Sequence, residues 1–155
     1  MNAELRQLLC MIDEAYSGRS WHGPNLRGSI RGLTPAEALW RPGRLRHNVR
    51  EIVLHAAYWK YAVRRRLSGE KRGSFRLKGS NWLTPGAGGR SWADDIALLE
   101  SEHRELRRAI ASLSPRLIRR IPEGGRVARE TLIRGIAAHD LYHAGQIQLI
   151  KKLMR

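Results

Sequence analysis

Ala138-His139-Asp140-Leu141-Tyr142-His143-Ala144-Gly145-Gln146-Ile147 falls inside a longer run, about Arg129 to Met154, in which Leu132, Ile136, His139, His143, Ile147 and Ile150 recur every three or four residues. That is the period of a helix with one inward stripe. Two of the stripe positions are histidines four residues apart. Their imidazoles therefore project the same way, about 6 Å apart along the axis, which is within the bite of one metal ion. Histidines at this spacing also occur as hydrogen-bonded core residues, so a third ligand is needed to separate the two readings.

Three more segments carry the same period. Leu5, Leu9, Ile12 and Tyr16 form a stripe over Ala3 to Tyr16, which stops at Ser17-Gly18. A second segment opens on Asn48, a candidate N-cap, runs through Ile52, His55, Trp59 and Val63 to Leu67, and stops at Ser68-Gly69. The third starts at Ser91, with Asp94 as a variant capping box, and passes through Ile96, Leu99, His103, Leu106, Ile110 and Leu113 to Ser114-Pro115. No strand-type alternation competes. Four helices with one apolar stripe each predict an all-α fold, a four-helix bundle forming a single domain over residues 1–155. Thr34-Pro35-Ala36-Glu37-Ala38-Leu39-Trp40 predicts a short extra helix capped by Thr34. Gly69 to Arg90 is rich in Gly, Ser and Pro and long enough to travel the length of a bundle, so the second and third long helices need not be antiparallel neighbours.

Composition narrows the partners. The net charge of +15 attracts anions, but the arginines are spread along the chain, with Arg64-Arg65-Arg66 the one tight cluster, and no helix-turn-helix, zinc-finger or aromatic-interleaved strand pattern is present. A solvated basic surface is favoured over a nucleic-acid partner, which remains an alternative carried by charge alone. The single cysteine, Cys10, excludes an intrachain disulfide and reads as inert packing between Leu9 and Met11. Charged residues interrupt Met1 to Ser17, and no run of 18 apolar residues exists, so a cytoplasmic protein without a membrane partner is expected.

His55 is the candidate third ligand, because it shares an apolar stripe with Ile52 and Trp59 and should face other helices. Three neutral imidazoles leave positions open for water or substrate, the layout of a catalytic site, and leave the ion's charge uncompensated. His103 lies on a stripe, but a core histidine bonded to a carboxylate such as Glu100 or Glu102 is favoured over a fourth ligand. His47 is too far along its helix to share the ion. Asp140 points about 100° away from His139 and is expected to pair with an arginine. The long loops carry Trp21, His22, Asn25 and Trp82, which with Gln146 are candidate pocket walls. No Ser-His-Asp order, P-loop or His-Glu-x-x-His sequence is present, so catalysis would rely on the metal.

Taken in order, Trp21-His22-Gly23-Pro24-Asn25-Leu26, the segment from Gly32 to Pro42, the run from His47 to His55 and the closing His139 to Ile147 resemble the DinB/YfiT-like superfamily over nearly the whole chain. The resemblance implies a four-helix bundle with a crossover between the second and third helices, often dimeric. It implies a divalent metal, nickel or zinc among others, on His55, His139 and His143. Members with known activity include transferases using a low-molecular-weight thiol and some hydrolases and isomerases. Many have none established, so a metal-binding or apo bundle without turnover is the alternative to an enzyme with a small-molecule substrate.

Overall fold

The computed structural model describes residues 2–155; Met1, part of the expected domain, lies outside them. Among the described residues the fold is all-helical, with six α-helices: α1 (Ala3–Tyr16), α2 (Leu26–Ser29), α3 (Pro35–Leu39), α4 (Val49–Ser68), α5 (Trp92–Ala111) and α6 (Arg129–Leu153). The caps explain the boundaries. Asn48 accepts from the Glu51 N–H and the Glu51 carboxylate accepts from the Asn48 N–H, while Thr34 with Glu37 and Ser91 with Asp94 repeat the arrangement on α3 and α5. Gly69 ends α4 in the left-handed conformation, φ 74°. The N-cap of α6, Ala128, offers no side-chain acceptor, so the Arg129 and Glu130 amides donate to the Arg120 and Ile118 carbonyls.

Directions follow from the ion pairs. Arg50 at the start of α4 meets Asp95 at the start of α5, and Arg64 lies beside Glu102, so the two helices run in the same sense and the chain between them must double back. That return is fastened at its end. The buried Arg50 guanidinium donates to Asp95 at 2.5 Å and to the Arg90 carbonyl at 2.6 Å, and Arg90 closes on the other Asp95 oxygen at 3.0 Å.

The stripes build two apolar clusters. One gathers Leu26, Ile30, Ile52, Val53, Trp92, Leu99, Ile147 and Ile150, and the other Leu5, Leu8, Ile12, Val63, Leu67, Leu106, Ile110, Ile133 and Ile136. Each fully buried Leu or Ile contributes roughly 1.5–3 kcal/mol. Polar residues occupy the waist between them. Lys60 on α4, His103 on α5, and Asp140 and His143 on α6 each fall between the two apolar stretches of their own helix and are buried. Cys10 corrects its expectation, because the buried set of α1 is Leu5, Leu8, Leu9, Ile12, Ala15 and Tyr16, which turns Cys10 and Met11 outward to exposed positions. Among the described residues no helix is long and apolar enough to cross a membrane.

Candidate metal centre

At the waist α4 brings His55 against His139 and His143 of α6. The Nε2 of His139 lies 3.1 Å from that of His55 and 3.0 Å from that of His143. The outward nitrogens decide which atoms carry protons. His55 Nδ1 donates to the Asn81 carbonyl at 3.1 Å, and His143 Nδ1 donates at 2.7 Å to Gln146 Oε1, whose amide nitrogen in turn donates to the Tyr142 hydroxyl at 3.1 Å. A neutral ring that donates through Nδ1 presents a lone pair at Nε2. Only His139 is left to bring a hydrogen into the centre, and one hydrogen cannot be collinear with both short contacts. A cation satisfies all three nitrogens at once. Three imidazoles bound to one ion at about 2.0–2.1 Å sit roughly 3.3 Å apart, close to the spacing observed. The donor set therefore fits a divalent ion, and these three residues could hold one.

Burial also keeps the rings neutral. It pushes His55 down to about 4, with the neighbouring His143 adding to the effect, and His139 down to about 3, with His143 and His55 adding. His143 is lowered by the same burial, against the pull of its Gln146 bond. A histidine with a depressed folded pKa costs nothing above the unfolded value near 6.5, and stability falls as pH drops below that value, because the unfolded chain takes up protons the folded chain refuses. We expect the metal-free protein to lose about 3 kcal/mol between pH 7 and pH 5.5 in urea titrations. A flat profile over that interval would contradict the neutral, buried state of these rings.

The 69–91 linker covers one side of the centre. Asn81 has φ 59°, the one positive φ among described non-glycine residues, and asparagine tolerates that conformation. The left-handed turn aims its carbonyl at His55, while its side-chain oxygen accepts from Trp59 Nε1 at 2.9 Å. Trp82 is sandwiched between His47 and His55, with ring centroids 3.5 and 3.9 Å away. His47 thus stands outside the triad but braces the wall, its Nδ1 3.2 Å from Glu51. Arg41 grips the same Glu51 with two hydrogen bonds, 2.8 and 2.6 Å, and so holds the 42–47 loop over the site.

A cavity of about 1000 Å³ opens onto the triad. Trp82 and Gln146 line it, together with Asn81, His47 and Tyr142, which the sequence did not place on its walls. Trp21, His22 and Asn25 are placed elsewhere. Trp21 is fully exposed, His22 is exposed, and Asn25 is buried as the cap of α2, accepting from the Gly28 N–H and donating to the Gly18 carbonyl. That loop is spent on docking α2 against α6, where Lys151 donates to the Ser29 and Arg31 carbonyls, rather than on walling the cavity.

Two other polar expectations are corrected at the waist. Asp140 pairs with no arginine. Its fully buried carboxylate accepts from the fully buried Lys60 ammonium at 2.5 Å, with burial pushing the carboxyl up and Lys60 pulling it back. His103 is a core residue but bonds neither Glu100 nor Glu102. It stacks on Tyr16 with centroids 3.8 Å apart, its Nε2 lies 3.9 Å from Asp13, and its Nδ1 lies 3.5 Å from Lys60. Burial, then the positive Lys60, Arg107 and Arg104, push it down to about 3.

An all-α bundle whose waist carries three histidines that could hold an ion defines a class of protein. The chain belongs to the DinB superfamily, whose model matches residues 20–147. That span contains all three histidines. No curated protein and no solved structure matches the chain.

Proposed function

We propose that this protein is a metal-dependent enzyme acting on a small molecule, as a thiol-dependent transferase or a hydrolase, with His55, His139 and His143 holding one divalent ion, zinc or nickel. The observation that supports the reading is the convergence of three Nε2 atoms on a cavity large enough for a substrate. An ion held there supplies Lewis acidity to a ligand atom in its remaining positions. The chain's own residues do the rest. Asn81 and Gln146 fix the orientation of His55 and His143, and Trp82 keeps water from one face of His55. Neutral ligands, the +15 chain and Arg46 on the cavity wall favour an anionic partner such as a thiolate.

The test is a screen of tag-free protein, metal-loaded and chelator-treated, for thiol transfer to an aryl halide and for ester and amide hydrolysis, with glutathione, bacillithiol and mycothiol as thiols. Turnover that vanishes on chelation and returns with zinc or nickel is expected. Equal turnover in the chelated protein would remove the ion from the reaction, and a loaded protein inert throughout would leave a metal-binding bundle.

A further inference from the structure

The cavity extends well past the histidines. Along α6 its lining runs from His139 through Gln146 to Leu149, Ile150 and Leu153, so the part beyond His143 is about 15 Å long by helical rise. Ile52 of the antiparallel α4 and Pro42 and Leu45 of the braced loop complete that far wall. The two ends differ in chemistry. Near the triad the polar groups are Asn81, Gln146 and the histidines, whereas the α6 wall beyond Gln146 is aliphatic and Arg46, beside Leu45 in the loop, is the one charged lining residue. Several of these apolar side chains lie more than half in solvent: Leu45 is 92 % exposed, Leu149 58 % and Leu153 56 %. Leu149 and Leu153 sit four apart on a helix that buries Ile133, Ile136, Ile147 and Ile150, and they extend the exposed side that Tyr142, 64 % exposed, begins, so core packing does not explain them.

We infer that the site takes an amphiphilic ligand, with a polar, metal-directed head at the triad and an unbranched apolar tail of about six or more carbons along Ile52, Leu45, Leu149 and Leu153. This rests on the metal-centre reading and names the substrate class for it. A small molecule fits better than a protein surface because the apolar wall is continuous with the three nitrogens inside one cavity of about 1000 Å³. A tail of that length covers about half of the wall and longer tails more of it, and covering the leucines removes apolar surface from water.

The experiment uses straight-chain alkyl hydroxamates, from acetohydroxamate to octanohydroxamate, titrated calorimetrically into the zinc-loaded protein. Every member presents the same chelating head, so only the tail varies. Affinity should rise about twofold per methylene, on the order of 50-fold across the series, less than the roughly fourfold per methylene of complete burial because the wall is open on one side. Leu149→Ser/Leu153→Ser, at exposed positions whose change leaves the bundle folded, should shrink the ratio between the two ends of the series at least fivefold. Equal affinity across the series would overturn the apolar arm while leaving the centre standing. No binding by any member would overturn the centre and the ligand class together. A dimer that the double serine variant dissociates, in a protein whose hydroxamate affinities do not grow with length, would assign the face to a second copy of the chain.

Discussion

Lys60→Met and Asp140→Leu are each expected to lower the unfolding free energy by about 3–5 kcal/mol, read from the shift of the urea midpoint at constant slope. Both side chains are fully buried, and each is the other's charged hydrogen-bonding partner at 2.5 Å. Removing one leaves the other's charge in the core with little to satisfy it, since the second Asp140 oxygen already lacks a partner and the Lys60 ammonium otherwise reaches only His103 Nδ1 at 3.5 Å and the Tyr16 ring at 5.0 Å. A domain of this size has about 5–15 kcal/mol in all, so either single variant stands near the limit of folding. The double variant replaces the pair by two apolar side chains and should recover most of the loss. Single variants within 1 kcal/mol of the parent would mean that water reaches the pair and that the waist is not the dry layer described here.

The second large effect concerns the histidines. His55→Ala, His139→Ala and His143→Ala should each weaken divalent-ion binding at least a hundredfold while far-ultraviolet circular dichroism stays near the parent's, because two apolar clusters on either side of the waist carry the bundle. Gln146→Leu removes the acceptor for His143 Nδ1 and should cost about tenfold to a hundredfold. His103→Ala should leave metal affinity within a factor of about three, since its ring is committed to Tyr16 and Lys60. Equal loss in His103→Ala and in the triad variants would place His103 among the ligands and break the account of the waist.

How much of this could be read in the sequence depends on how local its cause is. The long helices were legible because period and caps are local: Asn48 with Glu51 and Ser91 with Asp94 set the starts of α4 and α5 within the four residues that define a cap. The triad was legible because a helix converts spacing into direction, and His55, His139 and His143 all lie on stripes. Lys60 was not. It falls off the stripe through Ile52, His55, Trp59 and Val63, and is buried because α4 touches α3, α5 and α6 at once, which no single-helix pattern encodes. Its partnership with Asp140 is a contact across 80 positions.

The linkers were harder still. Trp82 and Trp21 are both tryptophans in Gly-rich loops, yet one is stacked between two histidines and the other is fully exposed. The difference is made by Asn81, whose left-handed turn beside Trp82 aims a carbonyl at His55. A tolerant asparagine just before a tryptophan was the available signal, and it is too weak to be read without the partner in view. Asn25 was misplaced too, expected on a pocket wall, because the four-residue helix it caps is too short for periodicity to announce.

X-ray absorption on tag-free protein loaded with one equivalent of zinc tests the central claim most directly. One ion per chain is expected, with three imidazole nitrogens at about 2.0–2.1 Å and one or two oxygen donors, from water or a bound ligand, completing the shell. A shell dominated by carboxylate oxygens, a spectrum unchanged by His139→Ala, or a protein that retains no zinc after gel filtration would contradict it.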